Sequence, residues 1–255
     1  MALRQSLEMS PPPFLQLAAH PLRWRLLEEL GRGDRTVQEL TERVGEPQNL
    51  VSYHLGKLRA GELVSARRSA ADGRDMYYRL HLDRVGGQLS TAGAALHPGL
   101  RLAPRVPADG YTRSGRVLFL CTGNSARSQM AEALLRVRSG GRIEAESAGS
   151  QPRPLHPNAV RVMREDFGID ISGQAPKPIA DVAGRRFDSV ISLCDRVREA
   201  CAQLPGRPET QHWSLPNPAT GGADAATYPL FRHVADELSN RISFLLAAFA
   251  EPAAA

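Results

Sequence analysis

Cysteine is scarce in this chain: Cys121, Cys194 and Cys201 are the only three in 255 residues, too few and too odd in number for a disulfide scaffold. Lysine is scarcer still. Lys57 and Lys177 stand alone among 32 basic residues, which reads as a composition bias toward arginine rather than a functional signal. No run approaches the ~18–20 apolar residues that span a bilayer. The first ten residues carry neither a basic leader nor an apolar core, so secretion is not expected and the cytoplasm is the expected compartment. Strong one-signed charge is also lacking. The formal net charge of +5 divides into +3 up to residue 110 and +2 beyond it, a mild pull toward polyanions that does not by itself announce nucleic acid. At 42% hydrophobic and 23% charged residues, wholesale disorder is excluded, and the length suits one large domain or two modest ones. All three thiols lie in the second half, and in a reducing compartment that clustering favours chemistry over structure.

Residues 14–80 are periodic and compact, whereas 82–114 are rich in Gly, Ala and Pro and read as a linker with room for a short helix in its first half. From Arg116 a strand-and-helix alternation runs to about Phe249, followed by a tail expected to fray. The expected division is therefore a domain at 12–85, a linker at 86–113 and a second domain at 114–250.

Leu22, Leu26, Leu27 and Leu30 form the apolar stripe of an amphipathic helix. Thr36 and Glu39 make a capping box, and the helix they open stops at Gly45. Pro47 suits the first turn of the next helix, whose Val51, Leu55 and Leu58 face inward. Gln48, Asn49, Ser52, Tyr53 and Lys57 are left on its other face, with His54 counted among the groove-facing candidates. Segments 63–69 and 75–80 then read as strands of a hairpin turned at Asp72-Gly73, with Arg67, Arg68 and Arg74 set to meet phosphates. This ordered series resembles the ArsR family of winged helix-turn-helix repressors over roughly residues 12–85. The resemblance implies operator DNA as partner and a homodimer, formed through this N-terminal domain, whose two recognition helices read half-sites about one helical turn apart. Many members of that family sense thiophilic metals through cysteines near the recognition helix. This domain has none, so no metal site is expected, and His54 and His81 are expected at the surface or facing DNA rather than ligating.

In the second domain Arg116 to Leu120 reads as a buried strand feeding Cys121-Thr122-Gly123-Asn124-Ser125-Ala126-Arg127-Ser128, and 129–137 reads as a helix. A strand, a glycine-containing loop and a helix N-terminus point successive amides at one spot where negative charge is favoured. Cys121 at the mouth of that cradle is expected to be a thiolate nucleophile. Arg127 can wrap back to grip two oxygens of a tetrahedral oxyanion, and Ser128 can donate to the sulfur. Gly123 and Asn124 tolerate the positive φ that such a loop demands. Cys-x5-Arg alone is weak; Cys201 and Arg207 share the spacing but lack the preceding strand and the following Ser.

With Ser147-Ala148-Gly149 and the His156-Pro157-Asn158-Ala159 helix start, residues 114–249 resemble the low-molecular-weight protein tyrosine phosphatase fold. That resemblance implies an α/β domain with a four-stranded parallel sheet, flanking helices and the active loop after its first strand. The family's general acid is an Asp directly before a Pro late in the chain, whereas this sequence places Asn217 before Pro218; Asp224 is a candidate substitute. Cys194 and Cys201, spaced Cys-x6-Cys after a strand at 189–193, resemble instead the thioredoxin-coupled arsenate reductases of the same fold. That likeness implies a Cys121–Cys194–Cys201 relay acting on arsenate, with phosphate as the related oxyanion, no bound cofactor, and thioredoxin as reductant. Seven helical steps span ~10.5 Å against the ~4.4–6.8 Å between Cα atoms that a disulfide needs, so the 194–201 segment must bend or unwind in such a relay. Arg196 and Arg198 are placed to keep the thiols ionised. A phosphatase and a non-catalytic oxyanion sensor are the alternatives left open by Asn217.

Overall fold

The computed structural model describes residues 11–101, 114–198, 209–220 and 224–250. Cys201 lies outside them, as does the side chain of Asp224. Among the described residues two separate hydrophobic cores form.

The first core gathers Leu26, Leu30, Leu40, Val51, Leu55 and Leu58 beneath helices α1 (Pro13–Ala18), α2 (Pro21–Gly31), α3 (Val37–Val44) and α4 (Gln48–Ala60). The capping box forms in full: Thr36 Oγ1 accepts from the Glu39 amide while the Glu39 carboxylate accepts from the Thr36 amide. Gly45 ends α3 in the left-handed conformation, and Pro47 occupies the N-cap of α4 rather than its first turn. Strands β1 (Arg35–Thr36), β2 (Val64–Arg68) and β3 (Met76–Leu80) form an antiparallel sheet in the order β1-β3-β2, with β2 and β3 as the hairpin wing. Helix α5 (Leu82–Leu96) runs across the boundary drawn at 85/86. Its Val85 and Leu89 pack on the first core, and at Gly93 a Cβ would meet the Leu100 carbonyl oxygen at 2.3 Å, so a glycine is required where the chain folds back.

The second core lies around a parallel sheet in the order β5-β4-β6-β7: β4 (Gly115–Cys121), β5 (Ile143–Gly149), β6 (Ser189–Ser192) and β7 (Glu209–His212). Helices α6 (Arg127–Arg138), α7 (Pro157–Phe167), the single turn α8 (Asp195–Arg198) and the long α9 (Asp224–Ala250) flank it. β4 is buried from Val117 to Cys121, as a central parallel strand must be. Among the described residues no helix is long and apolar enough to cross a membrane.

The domains meet along a seam of charges. Arg241 of α9 grips Asp34 through two bonds of 3.0 Å, both side chains being buried, and the Ser214 amide donates to the same carboxylate at 2.7 Å. Arg79 of β3 pairs with Glu237 at 2.8 Å, and Arg198 of α8 pairs with Glu39 of the capping box.

Candidate active site

β4 ends in Cys121, and the chain turns through 122–126 into α6, whose first residue is Arg127; the helix thus begins two residues before the expected 129. A strap following β5 holds the loop from outside. The amides of Ser150, Gln151, Arg153 and His156 donate to the carbonyls of Cys121, Thr122, Gly123 and Ser125 at 3.4, 2.8, 2.9 and 2.9 Å. In a trans peptide the C=O of one residue and the N–H of the next point opposite ways. Carbonyls tied outward therefore turn the amides of Thr122, Gly123, Asn124 and Ala126 inward, and the Asn124 amide donates to Cys121 Sγ at 3.2 Å.

The positive φ falls on one residue of the loop: Asn124 stands at 44°, whereas Gly123 is not in the left-handed region. Asn124 is fully buried, and its side chain ties the loop together. Its Nδ2 donates to Ser128 Oγ and Ser147 Oγ, and its Oδ1 accepts from Gln129 Nε2 and the Lys177 amide. Ser128 Oγ lies 3.0 Å from Cys121 Sγ. Gly149, at the end of β5, presses on this backbone: a Cβ there would sit 2.8 Å from both the Asn124 nitrogen and the Thr122 carbonyl oxygen. Neither atom can yield without deforming the loop. Gly149→Ala is expected to lower turnover at least ~10²-fold, the usual cost of a misplaced reacting group, with little change in the far-ultraviolet circular dichroism spectrum.

Cys121 and Cys194 are both buried and both line one cavity of about 330 Å³. Thr122 Oγ1 stands between loop and second thiol, 3.3 Å from Cys194 Sγ. Arg127, Arg153 and Arg196 supply positive charge to the cavity wall, and among the described residues no carboxylate lines it. Arg127 is anchored at Nη1 by the carbonyls of Leu193 and Leu215, at 3.3 and 3.0 Å. Asn217 lines the same cavity, exposed, its Oδ1 accepting from the Ala219 amide. Arg153 was not legible as a site residue, and Ala70, which also lines the cavity, comes from the other domain. Arg198 does not line the cavity, because Glu39 draws it away and it lies over the Tyr77 ring.

Directly after Cys194, Asp195 is buried in a web of donors. His212 Nε2 lies 3.1 Å from its Oδ1 and Ser214 Oγ donates at 2.7 Å; the Ala70 amide and Arg67 Nη2 each reach its Oδ2 at 2.7 Å. Burial opposes ionisation, but the bonds from His212, Ala70 and Ser214 and the charge of Arg67 outweigh it and hold the carboxyl well below the usual range.

On the recognition helix α4, Gln48, Asn49, Ser52, Tyr53 and Lys57 are exposed, with the Lys57 ammonium over the Tyr53 ring. His54 is not groove-facing: it is 5% exposed and stacks on His20, and burial lowers its pKa. In the wing, Arg68 and Arg74 are exposed, bonded to the Gly73 carbonyl and to Asp72. Arg67, expected to meet phosphate, is instead held by Asp195 and Ser214 of the second domain.

Residues 116–254, more than half of the chain, match the sequence family described as low molecular weight phosphotyrosine protein phosphatase. The chain belongs to that family. Residues 18–65 match a helix-turn-helix domain, so this phosphatase-family domain is fused behind a DNA-binding fold. The chain is 39% identical over 127 residues to an arsenate reductase of Halalkalibacterium halodurans, a match covering 49% of this chain and 91% of that protein. An arsenate reductase of Bacillus subtilis is 38% identical with the same coverage. A solved structure titled as an arsenate reductase in the oxidized state covers 53% of this chain and 98% of its own, at 32% identity and a TM-score of 0.47.

Proposed function

We propose that the phosphatase-family domain reduces arsenate to arsenite and that the helix-turn-helix domain binds operator DNA as a homodimer. The observation that carries the enzymatic reading is the placement of two free thiols, Cys121 and Cys194, in one arginine-walled cavity that, among the described residues, no carboxylate lines. A phosphatase needs one thiol and an acid to protonate its leaving group. Here the second thiol is present, and the acid position holds the amide of Asn217.

The reaction begins with arsenate seated on the inward amides and Arg127. The Cys121 thiolate attacks arsenic, an As–S bond forms, and one oxygen leaves as water with protons that arsenate itself carries. The Cys194 thiolate then attacks Cys121 Sγ. A Cys121–Cys194 disulfide forms while the As–S electron pair stays on arsenic, which departs as arsenite. Cys201 attacks Cys194, freeing Cys121, and thioredoxin supplies the two electrons that reduce the resulting Cys194–Cys201 disulfide. A departing phenolate depends on an enzymic acid more than a departing water does, so Asn217 penalises phosphoester hydrolysis more than arsenate reduction.

The test couples NADPH oxidation, through thioredoxin reductase and thioredoxin, to arsenate. Turnover is expected in the native protein and its loss in Cys194→Ser. Hydrolysis of para-nitrophenyl phosphate is expected to be slow and to rise ~10²–10⁴-fold in Asn217→Asp, the usual contribution of general acid catalysis. Fast hydrolysis that survives in Cys194→Ser, without arsenate turnover, would assign a phosphatase instead. Thermal protection by arsenate with neither activity would assign an oxyanion sensor.

A further inference from the structure

The catalytic cavity is walled partly by the DNA-binding domain. The wing residue Ala70 lines it, and its carbonyl accepts from Arg196 Nε at 3.3 Å. Arg67, the penultimate residue of β2, engages every nitrogen inside the protein. Nε donates to the Ser214 carbonyl at 3.2 Å, Nη1 to the Arg68 carbonyl at 3.0 Å, and Nη2 to Asp195 Oδ2 at 2.7 Å and to Ser214 Oγ. Asp195 adjoins Cys194 in the chain, and two of its four donors, Arg67 and the Ala70 amide, belong to the wing.

We propose that Arg67 and the Ala70 amide are positioning groups for the thiol site, fixing the Cys194–Asp195 turn from the wing, so that wing docking and the freedom of Cys194 are one equilibrium. A thiol that must leave its place beside Thr122 to reach another sulfur carries Asp195 with it, and the wing contact breaks. Conversely, a wing drawn off by nucleic-acid phosphates removes Arg67 from Asp195, because four of the five N–H groups of its guanidinium are engaged within the protein and must let go for the wing to move. The coupling is reciprocal by linkage. The second domain thereby acts on Arg67, which with Arg79 is a wing arginine at the seam, while Arg68 and Arg74 are exposed.

This inference gains its meaning from the reductase reading, but its test needs no arsenate turnover, so the two can fail separately. The full chain is alkylated with iodoacetamide, and the labelling rates of Cys194 and Cys121 are followed separately by peptide mass spectrometry. Arg67→Ala is expected to speed Cys194 labelling at least about tenfold, as when one charged hydrogen bond is lost, with Cys121 unchanged. Arg67→Lys should restore much of the protection, and Arg68→Ala should match the native protein. Asp195→Asn should speed Cys194 similarly, and the Arg67→Ala/Asp195→Asn double variant should be no faster than the faster single variant, as two ends of one contact require. Native labelling of Cys194 in Arg67→Ala would overturn the proposal. So would equal acceleration of both thiols without rescue by lysine, or accelerations by Arg67→Ala and Asp195→Asn that multiply.

Discussion

A Cys121→Ser protein is expected to hold oxyanions and turn none of them over. The cradle is built from backbone amides whose carbonyl partners are tied outward by the 150–156 strap, together with Arg127, and none of these depends on the sulfur. What disappears is the nucleophile. A serine hydroxyl beside Ser128 and the Asn124 amide has no neighbouring base among its bonded partners, so it remains a neutral alcohol and attacks arsenic poorly. The second step disappears as well, since no disulfide forms on oxygen. Arsenite production should fall to background, while thermal stabilisation of the protein by arsenate or phosphate should persist. Residual turnover dependent on thioredoxin would remove Cys121 from the centre of the chemistry.

The second large effect concerns stability. Asp34→Ala removes a carboxylate that receives two bonds from Arg241 and one from the Ser214 amide, all buried at the seam. It leaves a guanidinium only 8% exposed with Glu237 as its remaining carboxylate, and strands a backbone donor. Breaking a buried pair from one side costs about 3–5 kcal/mol. For a chain of this size that corresponds to a fall in Tm of roughly 10 °C, readable by calorimetry. Adding Arg241→Met should recover much of the loss, because the stranded charge and not the missing attraction dominates the penalty. A single variant within about 1 kcal/mol of native, small against the penalty for an orphaned buried charge, would mean that the seam opens to water and carries no such load.

Local signals in the sequence proved reliable where the physics is local. The capping box, the Gly45 stop, the Asp72-Gly73 hairpin and the strand-loop-helix around Cys121 each depend on residues within a few positions of one another, and each forms as the pattern indicates, with the helix after Cys121 starting two residues earlier than expected. His54 was misplaced although the signal was present. It lies three residues after Val51 and four before Leu58, on the buried stripe of α4, and its polarity was allowed to outweigh its position. The turn residues of the active loop were recognised as types, but the positive φ belongs to Asn124, which the buried amide network selects over the neighbouring glycine. Helix α5 persists through Gly86, Gly87 and Gly93 because Val85 and Leu89 pack on the first core; composition alone read the segment as a linker with room for only a short helix in its first half. Arg67 was beyond reach. Its partner lies 128 positions away in another domain, and nothing in a strand's own alternation announces it.

The seam between Asp34 and Arg241 has a practical corollary for handling the protein. Ions in solution screen exposed charges strongly and buried ones little, while contacts to nucleic-acid phosphates dissolve steeply as salt is raised. Bound DNA should therefore wash away in concentrated salt while the two halves of the molecule stay clasped, so a purification that begins with a high-salt step delivers the protein stripped of nucleic acid yet architecturally whole.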